Sequence, residues 1–293
     1  MGGSGGYHVL RPLLRSLLQK AVRRGCVELV SRVTGILARM GDSKWINSRS
    51  AIIAFEECWM IALVMKEMPS SHFLELIASS KKNKAAAGLG DVAYGCMQGG
   101  VSLLELDPDY RSHVKIVAAG AIRSKDFFSW VKSRAETEQQ LRLIEAGQRT
   151  FTQATWPWDK VFAIAGSYLA LEGVDIVEGG GVCSMSNFPY WVAVDKHTPQ
   201  GKVILKDLAK SMKVSFDVLS TISFFCEGSQ LNSSVYSSWW ELSAATRLRS
   251  HGLTMAEAEV IWSDCKVGYI SAAEQYSKQL KEFVVLDGGG QLF

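Results

Sequence analysis

The chain lacks a phosphate-cradling glycine loop. Its glycines match neither G-x-G-x-x-G nor G-x-x-x-x-G-K-[ST], which argues against nucleotide hydrolysis by such a loop. It also lacks paired cysteines. Cys26, Cys58, Cys96, Cys183, Cys226 and Cys265 are scattered without a C-x-x-C, and no secretory apolar segment opens the chain. This predicts a reducing, intracellular setting, cytoplasmic by default, with no zinc site and no cofactor. Long apolar runs are missing as well. Charge interrupts each one well short of the roughly 20 residues a membrane span needs, so no membrane partner is expected. Alternation of the β type is confined to residues 190–194. Finally, acid is missing from one end: residues 1–27 hold five Arg or Lys and no Asp or Glu.

What remains is a globular composition, 47% hydrophobic and 21% charged, with a net charge of +3 too small to imply nucleic-acid binding by itself. The periodicity is helical, and the expected fold is all-α, a multi-helix globular domain around two buried apolar helices. The first is 48–65 (SRSAIIAFEECWMIALVM), apolar on all sides except for Arg49, Glu56 and Glu57; the second is 155–171 (TWPWDKVFAIAGSYLAL). Trp156 and Trp158, flanking Pro157, are expected to pack rather than to stack bases. Around these, amphipathic patterns predict helices over 9–24, 27–40, 70–78, 85–100 and 107–121, then a long charged surface helix over 125–148. Shorter ones follow over 205–212, 215–225, 235–250, 254–265 and 270–283, with Thr254 and Glu257 forming a capping box. The expected organisation is a linker over 1–6, a helical core over 7–177, a hinge at the EGGG of 178–181, a helical part over 182–286 of the same or a second domain, and a frayed tail over 287–293.

Two sets of charged residues invite chemistry. Glu56 and Glu57 sit inside an apolar helix, where a carboxylate needs a partner. Arg49 lies two turns earlier on the face of Glu56, which predicts a structural ion pair; the alternative is a catalytic or metal-binding pair. Asp195 and His197 (DKHTPQGK) read either as a loop held by Asp and Thr hydrogen bonds or as an oriented imidazole for base or metal chemistry. On the basic side, Arg11, Arg15 and Arg23 recur on one face of the first helix, with Lys20 and Arg24 beside them. That stripe is either a solvated face or a track for nucleic-acid phosphates. The same acid-free, amphipathic segment also has the form of a mitochondrial presequence. The basic KKNK of 81–84 reads as a solvated turn that would add to a DNA footprint.

Residues 18–25 (LQKAVRRG), then Trp45 and Arg49 leading into 52–58 (IIAFEEC), and later 195–202 (DKHTPQGK), resemble the helical C-terminal region of the replication-associated recombination ATPases, the MgsA/RarA type related to clamp loaders. Stand-alone relatives of that region show the same order: a basic L-x-K-x-I-R-R-G helix, a Trp/Arg-led helix with an I-x-A-x-E-[DE] core, and a D-x-H-T-x-x-G-[KR] segment. Trp59 stands where that pattern has a small residue, and the Walker lysine is missing. The resemblance implies an oligomeric helical collar near a replication fork, without the ATPase. The expected function is therefore a non-enzymatic replication or recombination accessory protein that self-associates and binds DNA or replisome proteins, with Arg11, Arg15, Lys20, Arg23 and Arg24 contacting nucleic acid. The alternative is a helical hydrolase or metal-dependent enzyme built from Glu56, Glu57, Asp195 and His197.

Overall fold

The computed structural model describes residues 5–173, 179–231, 234 and 237–287. In order, the α-helices are α1 (Gly5–Arg23), α2 (Val27–Arg39), α3 (Ser43–Glu57), α4 (Ser70–Ser79), α5 (Ala85–Met97), α6 (Pro108–Ile122), α7 (Ser124–Arg134), α8 (Glu138–Gln153) and α9 (Pro157–Leu169). After these come α10 (Pro199–Met212), α11 (Phe216–Ser223), α12 (Ser238–Arg249) and α13 (Met255–Asp287). The fold is all-α, with no strand among the described residues beyond isolated bridges. One apolar cluster runs from Leu13 to Val284. Gly5 and Gly6, expected in a linker, are the first residues of α1. The tail from 288 on and Glu178 of the expected hinge lie outside the described residues.

The two apolar segments do form the interior. α9 packs against α3, α5, α6 and α8, and α5 also packs against α12. The Ala/Gly-rich α5 allows close approach: a Cβ on Gly88 would come within 2.3 Å of the Trp239 carbonyl carbon. The first apolar segment is not one continuous helix, however. α3 ends at Glu57, Cys58 is extended (φ −160°, ψ 75°), and the chain resumes as a 3₁₀ turn over Trp59–Val64. The break is stabilised from outside: Asn83 donates its N–H to the Glu57 carbonyl at 2.9 Å, bridging 58 to 83. A tertiary contact of this kind overrides helical periodicity.

Four other expectations are corrected. Residues 125–148 are two helices, because Thr137 and Gln140 form a capping box that starts α8 afresh. The expected separate helices over 254–265 and 270–283 are one, α13, since Gly268 keeps a helical backbone and lies 3.6 Å from Leu208 when given a Cβ. Residues 190–193 form a 3₁₀ turn rather than a strand, with local bonds from Val192 to Pro189 and from Val194 to Trp191. Trp156 is 65% exposed, whereas Trp158 rests on Tyr94 at 4.2 Å between ring centroids and donates its indole N–H to Asp91. Among the described residues, no helix is long and apolar enough to cross a membrane.

Candidate functional site

The acids inside α3 and the basic stripe of α1 are partners. α1 is held by its Leu-rich side: Leu13, Leu14, Leu17, Leu18, Ala21 and Val22 are buried. Its other side is joined to α3 by long side chains. At one end Arg15 makes a two-pronged contact with Asp42 (2.9 and 2.8 Å) and lies over the Trp45 ring at 4.9 Å, while Arg11 donates to the Met40 carbonyl. Midway, Gln19 accepts from Arg49, which also reaches Asp159 of α9 at 3.0 Å. At the far end Arg23 closes the ladder.

Arg23 is buried and uses all three guanidinium nitrogens. Nε donates to Glu57 at 2.5 Å, Nη2 to Glu56 at 2.7 Å, and Nη1 to the Gly228 carbonyl. Glu56 takes its second cation from Arg49 at 3.5 Å. The expected Arg49–Glu56 pair therefore exists, but the shorter contact comes from another helix. Glu57 takes its second cation from Lys84 at 3.3 Å, and that ammonium also lies 4.2 Å from the centroid of the Trp240 ring. Burial pushes the Glu56 carboxyl upward, but Arg23, then Arg49 and Lys84, outweigh it and hold it down at about 2. Burial takes the Lys84 ammonium down to about 8 against the opposing pull of Glu57.

One turn earlier on α1, Lys20 is buried against Asp195 at 2.6 Å. The local turn explains that segment. Thr198 caps α10, its hydroxyl accepting from Gly201 N–H at 3.1 Å and donating to the Asp195 carbonyl at 2.9 Å. A Cβ on Gly201 would sit 2.0 Å from the Asp195 carbonyl oxygen, so only glycine lets the helix start this close. Asp195 also accepts from the His197 backbone N–H and lies 3.1 Å from its Nδ1; the imidazole is 58% exposed. Burial disfavours the Asp195 charge, but Lys20 and then His197 overcome it and hold the carboxyl far below its usual range. The structural reading of this loop is thus realised, and the imidazole contact accompanies it.

The five basic residues expected on an open face are drawn into the protein. Lys20 and Arg23 are buried, and Arg24 reaches Glu227 at 2.8 Å. Arg11 and Arg15 alone of the five stay about a third exposed (36% and 35%), and both face Asp42. The picture of a solvated stripe is corrected, because apolar burial of α1 on one side and acids on the other (Glu56 and Glu57 of α3, with Asp42, Asp195 and Glu227) leave little of it outside. KKNK is likewise not a solvated turn. Lys82 is fully buried, donating to the carbonyls of Ile77, Ala78 and Ser80 at the end of α4, where cations suit the helix dipole. Sequence reasoning missed Lys84 as a partner of Glu57; its place just before a buried helix was the available signal.

The four residues of the alternative site form two pairs, Glu56–Glu57 on Arg23 and Asp195–His197 on Lys20, joined to α1 one turn apart. Among the described residues, no three His, Cys, Asp or Glu side chains converge as metal ligands. Comparison of the chain with protein-family models, with curated proteins and with solved structures finds no match.

Proposed function

We propose that this chain is a non-enzymatic accessory protein of DNA replication or recombination, acting inside the cell as an oligomer and binding DNA or replisome proteins. The observation that carries the reading is the engagement of the acids. Glu56 is held near 2 by Arg23 and Arg49, far from the neutral range where a carboxyl works well as a general acid or base. Glu57 is closed in by Arg23 and Lys84, and Asp195 by Lys20. Such acids hold helices together. The resemblance of the LQKAVRRG, IIAFEEC and DKHTPQGK segments to the MgsA/RarA-type helical region supplies the process and the self-association. All six cysteines are free, which suits a reducing compartment.

The test uses the full chain. Light scattering is expected to give a multiple of 32.2 kDa. Fluorescence anisotropy on single- and double-stranded DNA should show affinity falling about a thousandfold or more between about 50 and 200 mM salt, as counterion release at six or more phosphates requires. A monomer with no DNA binding at low salt overturns the reading.

A further inference from the structure

With the α1 cations turned inward, the free positive charge lies elsewhere. α10 carries Lys202, Lys206 and Lys210 at four-residue spacing, and Lys213 follows at its left-handed C-cap (φ 56°). All four are exposed, and among the described residues none has an ion-pair partner; Lys206 lies only over the Phe216 ring, at 5.8 Å. Asp207 is the one acid in the helix. At 100° per residue the four fall within an arc of roughly 80°, and at 1.5 Å per residue they extend over about 17 Å. The opposite side of α10, with Gly201 and Ile204, is buried, as are Leu205 and Ala209 on the flank of the row. Lys202 stands in the first turn, where the helix dipole disfavours a cation, so it is not there to stabilise the helix.

We propose that this flank of α10 is the surface that contacts a nucleic-acid backbone, an inference that rests on the DNA-binding reading above and names its site. A row of ammoniums about 6 Å apart on a convex helix cannot enclose a compact anion but can follow a linear one. At one phosphate per 3.4 Å of each strand, 17 Å matches about five phosphates. Lysine offers a point charge rather than a planar fork, so these contacts position the chain without reading bases.

The experiment compares wild type, Lys202→Glu/Lys206→Glu/Lys210→Glu, and a control with the same charge change at the exposed residues Lys66, Lys115 and Lys278. Each is checked for helicity and melting, then titrated with a random-sequence duplex across a salt series. The α10 variant should fold normally and bind at least tenfold more weakly at low salt. Its plot of log affinity against log salt should be shallower by roughly 3, at about 0.9 per lost phosphate contact. The control should keep the wild-type slope. If wild type binds and the α10 variant binds equally, or if the control is equally impaired, the surface is wrong and the DNA reading stands. If wild type does not bind DNA at all, both fail. Lysine-dependent binding to phosphatidylserine-containing vesicles, with none to DNA, would also overturn the proposal in favour of a membrane surface.

Discussion

Arg23 joins two acids on one helix and a backbone carbonyl more than two hundred residues away in sequence. Removing it would leave the buried Glu57 and the half-buried Glu56 beside each other without their shortest cationic contact, with Arg49 at 3.5 Å and Lys84 at 3.3 Å left as their ion-pair partners. Breaking a buried ion pair from one side costs about 3–5 kcal/mol, because the desolvated charge left behind has lost its compensation. Arg23→Ala should lower stability by that amount in urea unfolding. Arg23→Lys should recover only part, since a point charge cannot meet three acceptors set around a planar fork. An Arg23→Ala protein within about 1 kcal/mol of wild type (about one-fifteenth to one-fifth of typical domain stability) would sink this account. At this scale the acids were legible as needing cations, and the α1 stripe as lacking acids. Each imbalance was visible alone, but sequence separation hid that they answer one another.

Among the elements, α13 shows what local signals miss. Its 33 residues continue through Gly268, a residue that reads as a terminator. Gly in a helix interior costs roughly 0.5–1 kcal/mol relative to Ala. At this position a Cβ meets only Leu208, at an ordinary 3.6 Å. Gly268→Ala is therefore expected to raise stability by about that amount, measured as a higher denaturation midpoint with an unchanged slope. A loss would mean that the helix is broken or crowded there. The opposite error occurred in α3, where unbroken apolar sequence reads as helix but Asn83 captures the Glu57 carbonyl and turns the chain. Caps were better guides: Thr254 and Glu257 exchange the expected bonds, Thr254 N–H to the carboxylate at 2.8 Å and Glu257 N–H to the hydroxyl at 3.3 Å.

For the molecule as a whole, the ion-pair ladder ties stability to pH. The Glu56 carboxyl stands at about 2 in the fold, against about 4.3 when free, and Asp195 is also depressed from its free value of about 3.9. A folded-state value below the unfolded one means that the unfolded chain takes up the proton first. The resulting stability is fully present above about pH 4.5 and is lost as the pH falls toward 2. The depression of Glu56, shared with Arg23 and Arg49, corresponds to a contribution on the order of 3 kcal/mol. The melting temperature should therefore drop steeply across that window, and Glu56→Gln, starting lower, should show a shallower drop. A profile of wild type that stays flat from about pH 5 to 2.5 would refute the linkage.

By itself the sequence determined the all-α class, the identity of the two apolar segments and the positions of several helix starts, because 3.6-residue periodicity and capping act over a few residues. It also showed that Glu56 and Glu57 required partners, since burial of a carboxylate is costly wherever it occurs. Only the tertiary structure decided which cations answered them. The same arginines could face water or face acids, and the choice depended on α3 lying alongside α1 with Lys84 and Asp195 brought in from later in the chain. It likewise decided which lysines stay outside. KKNK closes a helix end in the interior while the row on α10 remains free, a distinction set by what packs over each and not by composition.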